Sequence, residues 1–397
     1  MMLMTHREQQ HERCARMQAP LPAATEAAPA PTPAPAPVTA KSTKRHWRAL
    51  RNALLAKPVV ADGNTTASSI STEFFPVFAA QLSALGAANG AAEDSLQRHH
   101  RRPEPNFEWM QYDVSFEKTP RDAAGSGAKI VYVHEKQKNK GVSLQELFSH
   151  KVNQGVDNTG NVRTWPSEQV MLTYLLKQNV CENLAQRSKD GETAIPLNCC
   201  ELGGGMAGLA SLGLLAHAPV PFGRFDITDG NPLSVKNLKI CVGENIAQGA
   251  FAKSALTQIN VDLLRWDRNV TFSTYVQHQF DLLLASDCLF FEDFHYDLAH
   301  TIKQLLRPRT GRCYMLQPSR NGSMERFSRI AETHGLHVEC VSDYDAEITA
   351  KHEAYLRTRP DYAADVHYPV LLIVSAPAPS VTPSSDATRH VSHQQSS

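Results

Sequence analysis

None of the eight cysteines in this 397-residue sequence is paired at the two-residue spacing that zinc motifs use; apart from Cys199-Cys200 they stand alone. That pattern excludes the common zinc modules, leaves no metal site to expect, and reads as reduced thiols in a cytoplasmic or nuclear protein. Long apolar runs are missing too. None approaches the roughly 20 residues needed to span a bilayer, and the N-terminus lacks the compact apolar core of a secretory signal. An Arg-containing, Ala-rich leader leaves an organelle transit peptide as the alternative, with Glu8 and Glu12 counting against it. Net charge is absent as well. Lys plus Arg equals Asp plus Glu at 40 each, so no whole-molecule field calls for nucleic acid or a membrane surface.

Hydrophobic residues make up 42% of the chain, enough for a sizeable core. Residues 1–43 are an Ala/Pro-rich leader, and the composition of 18–40 cannot bury a core; the Ser/Pro/His tail at 376–397 is expected to stay disordered in the same way. Residues 44–150 form an N-terminal extension. Within it, 44–57 places Trp47, Leu50 and Leu54 on one helical face and Arg45, Arg48 and Arg51 elsewhere, an amphipathic basic helix that either packs on the core or greets an acidic partner. The polar, Ala-rich stretch 62–106 is expected to have little fixed structure, with at most a helical fragment near Phe78 to Leu85. Trp109 to Phe116 and Lys129 to His134 read as a β-hairpin.

From residue 151 to 375 the pattern becomes a regular alternation. A helix begins at Pro166, and strands follow at Leu197 to Leu202, Arg224 to Thr228, Gln258 to Leu263, Phe280 to Ser286 and Arg312 to Leu316, with helices between them. Two late strands, Gly335 to Val341 and Tyr368 to Val374, flank a helix near Ala346 to Arg357. The expected fold class is α/β: a Rossmann-like, seven-stranded, doubly wound domain with an antiparallel pair at one edge.

The chemistry gathers at the carboxyl ends of these strands. Cys199-Cys200-Glu201-Leu202 runs into Gly203-Gly204-Gly205 and then a helix, a loop that lets backbone approach a ligand beneath a helix N-terminus. The second strand ends at Asp229-Gly230-Asn231, where a carboxylate suits ribose hydroxyls. Gly203, Gly205 and Gly208 also fit the dinucleotide spacing, so a hydride-transfer enzyme is the rival reading. Its Tyr-Lys pairing occurs only at Tyr132 and Lys136, upstream of the cofactor strand. Glu201 beside the glycines would repel a pyrophosphate but suits a sulfonium ligand carrying an amino group. Trp266, in Leu264-Arg265-Trp266-Asp267, is placed to cover an adenine face, with ordinary surface packing as the alternative. The fourth strand delivers Ser286-Asp287-Cys288-Leu289-Phe290 to the rim, where Asp287 is either functional or a helix cap.

Taken with Asp157-Asn158-Thr159-Gly160, Trp165-Pro166-Ser167-Glu168, Tyr344-Asp345 and His367-Tyr368-Pro369, these motifs resemble the calmodulin-lysine N-methyltransferases, within the class I seven-strand protein-lysine methyltransferase family. The likeness runs over roughly residues 44–375, with gaps in 62–106. It implies S-adenosyl-L-methionine as cofactor, held by Trp165, Glu201, Gly203, Gly205, Asp229, Trp266 and Ser286, with Gly204 and Asn231 completing the two motifs. It also implies methylation of a calmodulin lysine to trimethyllysine, with another protein lysine as substrate or a non-catalytic cofactor-binding scaffold as the alternatives; the protein is expected to be a monomer of the cytoplasm and nucleus. Asp287 carries over as the rim carboxylate. Phe290 stands where relatives have Tyr, so the hydroxyl that orients an amine there is missing. Phe290, Phe291 and Tyr344 are the candidate apolar rim, because desolvation favours the neutral lysine amine.

Overall fold

A computed structural model describes residues 74–86, 107–116, 128–136, 164–187, 196–252, 258–273, 276–290 and 292–377. The leader, the basic segment 44–57, the Asn158-Thr159-Gly160 turn, Phe291 and the tail from residue 378 lie outside these residues; Ala376, expected to begin the disordered tail, is instead buried and accepts from the Arg309 amide at 2.9 Å.

Among the described residues, ten strands form two sheets. The larger contains β4 (Leu197–Leu202), β5 (Phe222–Asp229), β6 (Ile259–Leu263), β7 (Leu282–Ser286), β8 (Arg312–Gln317), β9 (His337–Val341) and β10 (Val370–Ser375) in the order β6-β5-β4-β7-β8-β10-β9. The first five pair in parallel, and β10 runs antiparallel between β8 and β9. This is the expected α/β arrangement. The strand sequences are nearly continuous apolar runs because helices cover both faces: Leu282 to Ala285 and Cys313 to Leu316 are all buried. Chain order reverses on either side of β4, so the crevice at its carboxyl end is the topological switch point where such sheets bind ligands.

The helices are α1 (Pro166–Lys177), α2 (Val180–Arg187), α3 (Leu209–His217), α4 (Pro232–Ala247), α5 (His295–Leu305), α6 (Ser323–Thr333), α7 (Ala346–Thr358) and the short α8 (Ala364–His367). Proline opens α1 and α4 in the first turn, and the Asn231 side chain caps α4 by accepting from the Leu233 amide. α3 starts at Gly208 (φ 57°), where a Cβ would come within 2.9 Å of Leu238; glycine is what lets this helix sit close to α4.

The smaller sheet is β1 (Ala79–Leu82), β2 (Phe107–Asp113) and β3 (Ile130–Lys136), all antiparallel. The expected hairpin is present, with pairing that starts two residues earlier than Trp109 and stops at Asp113. The stretch 62–106 departs from expectation where it is described. Residues 79–82 are a strand on β2 and Ala84–Gly86 a single 3-10 turn, not a helix. Just before them Phe74 and Phe75 are buried, edge-on to Tyr355 and Tyr362. Alanine and leucine favour a helix in isolation, but pairing with β2 and the burial of two phenylalanines override that local preference.

Asparagine side chains fasten the small sheet to the domain. Asn245 accepts from the Tyr132 amide at 2.9 Å and donates to its carbonyl at 2.7 Å, as a neighbouring strand would. Asn237 donates to the carbonyls of His134 and Met206, both at 2.7 Å, joining β3 to the end of the glycine loop.

Candidate active site

The glycine loop leaves β4 with Gly203 in the left-handed region (φ 70°), where an added Cβ would meet Cys288 Sγ at 3.0 Å and the Trp266 ring at 3.2 Å. Trp266 and Cys288 of the rim motif after β7 therefore converge on Gly203. Asp229 takes one oxygen to the Gly205 amide (2.9 Å) and the other to the Asn231 amide (2.7 Å), which fixes its orientation and leaves lone pairs for further donors. Burial raises its pKa from the ordinary value. Asn231 is itself almost wholly buried and its carboxamide oxygen serves the helix cap, so its part in the site is to hold Asp229 and α4.

Glu201 is buried, with Oε2 accepting from Ser211 at 2.5 Å and Oε1 without a partner. Desolvation pushes its pKa up to about 7, against the lowering effect of Ser211. Glu168 is also buried. It accepts from the Trp165 amide through Oε1 and from the Leu209 amide through Oε2, both at 2.8 Å, and so ties the first turn of α1 to that of α3. Burial first, then the charge of Glu201, raises it to about 8. Behind it Glu135 of β3 accepts from Tyr112 (3.0 Å) and from the Thr164 amide (2.9 Å). A line of carboxylates thus runs from the small sheet to the glycine loop.

Two more buried polar atoms lack partners: Trp266 Nε1 and Ser286 Oγ. Glu201 pairs with Leu284 in register, so Ser286, two residues on, shares its face of the sheet. Leaving such an atom unsatisfied costs about 1–3 kcal/mol. Three around one glycine loop mark where the polar atoms of a ligand belong.

At the rim, Asp287 has a left-handed backbone (φ 55°) and its amide donates to the Leu316 carbonyl. It caps no helix. Its carboxylate takes a bidentate pair from Arg320, 3.1 Å from Nε and 2.5 Å from the second nitrogen, and the same guanidinium lies 5.0 Å from the Phe290 ring centre. Arg320 was not foreseen; it follows β8, 33 residues away in sequence. Tyr344 is at the same end of the sheet but is buried, edge-on to Tyr174, and donates its hydroxyl to the Pro369 carbonyl at 2.7 Å. That hydroxyl is committed to the fold, which makes Tyr344 a support of the rim.

Residues 148–333 match the family model described as lysine methyltransferase. Over these residues the chain is similar to the lysine methyltransferases. A relative, the calmodulin-lysine N-methyltransferase of Arabidopsis thaliana, is 33% identical to this chain over 224 residues, which are 55% of this chain and 66% of the relative. Among solved structures, a putative sarcosine dimethylglycine methyltransferase from Galdieria sulphuraria is similar at 14% identity and TM-score 0.33, over 58% of this chain and 96% of that one. The plantazolicin methyltransferase BpumL in complex with SAH is similar at 11% identity and TM-score 0.32, over 52% and 85%. S-adenosylmethionine is the methyl donor of the methyltransferase, and the residues of the crevice fit it: the three unpartnered atoms, the glycine approach and Asp229 supply the donors and acceptors that a nucleoside with an amino-acid tail requires.

Proposed function

We propose that the protein transfers methyl groups to the ε-amine of a lysine on calmodulin, proceeding to trimethyllysine. The 33% identical relative that carries this activity in its name supports the substrate. The observation that carries the chemistry is the rim motif meeting the glycine loop, with Cys288 against Gly203 and three unpartnered polar atoms around the same loop.

S-adenosylmethionine, when bound, supplies a methyl carbon already activated by positive sulfur. Gly203 to Gly205 would approach its amino-acid end, with Glu201 Oε1 facing the amino group; Asp229 would take the ribose hydroxyls, and Trp266 the adenine face. Trp165, held through its amide by Glu168, would close the other side. The protein's remaining work is to hold the amine in line and to favour its neutral form, although free lysine has a pKa near 10.4. Phe290 contributes an apolar surface to that end. Because Arg320 engages both carboxylate oxygens, Asp287 is not a free general base. The proton of the lysine therefore leaves to solvent before transfer.

Incubation with labelled cofactor and unmethylated calmodulin tests the reading. Label on calmodulin supports it. Label appearing only on other proteins moves the substrate, and cofactor binding without any label makes the protein a non-catalytic scaffold. Asp287→Ala is expected to abolish transfer while cofactor binding survives; normal turnover in that variant removes Asp287 from the rim.

A further inference from the structure

Arg320 enters the proposed function only as the group that engages Asp287, and its place in the rim goes further. Its guanidinium makes both hydrogen bonds of a fork to Asp287 while lying on Phe290, so one side chain fixes both rim residues. The backbone beneath it is unusual. Arg320, Asn321 and Gly322 follow one another in the left-handed region at φ 47°, 57° and 79°, opposite Asp287 at φ 55°. L-residues avoid that region, and such conformations persist where surrounding bonds hold them and where function gathers. The holding bonds come from α8: the Arg320 amide donates to the Asp365 carbonyl at 2.8 Å and the Asn321 amide to its carboxylate at 2.6 Å. Both partners of the ion pair are largely buried, with side chains 18% and 11% exposed, so the charges act on each other more strongly than a surface pair does.

We propose that Arg320 is a positioning residue of the methyl-acceptor rim, which neutralises Asp287 and fixes it against Phe290 so that the rim accepts lysine as a neutral amine. The proposal rests on the lysine-methyltransferase reading of this site. An uncompensated carboxylate at the rim would hold the substrate as ammonium, the form that cannot attack. A lone cation would repel the substrate before it bound. The pair does neither.

The surroundings do not offset this balance. From α8, Asp365 is spent on the turn, and His367, which burial holds below its ordinary pKa, faces Arg320 from the same helix. Arg326 of α6 pairs with Glu292, and Glu325 of the same helix accepts from Ser319. On the loop side, Cys288 is kept as the neutral thiol by burial and by the charges of Asp287 and Asp229. Asp229 itself is tied to two backbone amides. Removal of the guanidinium therefore exposes the charge of Asp287 to whatever enters the rim.

The test uses the full-length protein saturated with S-adenosylhomocysteine and n-butylammonium, the head of a lysine side chain, as probe. With R320M, the probe is expected to bind about tenfold tighter than to wild type at pH 7, and the difference to vanish above the amine pKa of about 10.4. In turnover with calmodulin, R320M should shift the acid limb of kcat upward by about one pH unit, a tenfold loss near pH 7 that recovers at high pH, with KM no higher. The double variant D287N/R320M, which has no charge on either partner, should return the probe affinity toward wild type, and R320K should keep the wild-type limb. Equal probe affinity for R320M and wild type overturns the proposal, as does a kcat loss of the same size at every pH. If the probe result holds while wild type leaves calmodulin unlabelled, the substrate assignment fails and the role of Arg320 stands. Cofactor affinity equal to wild type in each variant excludes misfolding as the cause.

Discussion

Glu201 is the residue whose titration should be visible in cofactor binding. It is buried, one oxygen takes the Ser211 hydroxyl, the other has no partner, and desolvation raises its pKa to about 7. At pH 7 about half the molecules therefore carry a neutral Glu201. An ammonium group arriving at Oε1 favours the carboxylate, so binding should expel about half a proton at pH 7 and progressively more toward pH 6. Glu168, raised to about 8 in part by the charge of Glu201, is pushed further toward its neutral form by the same event and recaptures part of that proton. Calorimetric titration with S-adenosylhomocysteine in phosphate and in Tris, which differ in ionisation enthalpy, reads the net release as a difference in heat. E201Q cannot release the proton and loses a charged hydrogen bond, which is about 1.5–3 kcal/mol or roughly ten- to a hundredfold in affinity. Identical heats in the two buffers for wild type would refute the reasoning, as would the same proton release from E201Q.

The same two carboxyls set a pH dependence of stability. Their folded pKa values of about 7 and 8 lie above the ordinary 4.5, so the fold favours their protonated forms; that stabilisation is full below 4.5 and is lost as pH rises through 7 to 8. The melting temperature of the free protein should fall between pH 5 and pH 9, and the E168Q/E201Q double variant should fall less over that range. Tyr344→Phe removes only the bond to Pro369, so it should cost about 1 kcal/mol in denaturant unfolding and leave kcat at the wild-type level. Phe74→Ala should cost about 3–5 kcal/mol, because Phe74 is fully buried among Tyr355, Tyr362 and His367; an unchanged melting temperature would show that the N-terminal segment does not support the fold.

Where sequence and structure agree, the signal was local. Buried strands such as Leu282–Ser286 and Arg312–Gln317 are short apolar runs between helical periodicities, and proline marks the starts of α1 and α4. The glycine loop, Asp229 and Trp266 were legible because their spacing follows from strand–loop–helix geometry. What escaped was made by contacts distant in sequence. β1 is Ala-Ala-Gln-Leu, a helical composition turned into a strand by β2. Glu168 was visible as part of Trp165-Pro166-Ser167-Glu168, but its second bond reaches Leu209, 41 residues on. Arg320 belongs to no periodic pattern, and nothing local pairs it with Asp287.

The asparagine clasp on the small sheet also bears on how the chain folds during synthesis. Tyr132 and His134 leave the ribosome well before Asn245 and Asn237, their partners 113 and 103 residues later. At about 5–20 residues per second, that is a wait of roughly 5–20 s. Meanwhile β3 has neither α3 nor α4 to pack on, and Met110, Tyr112, Val131 and Val133, buried in the finished protein, wait for the domain that covers them. The N-terminal sheet is thus first to emerge and among the last to be secured, a stretch of nascent chain that a chaperone would meet with its apolar face uncovered.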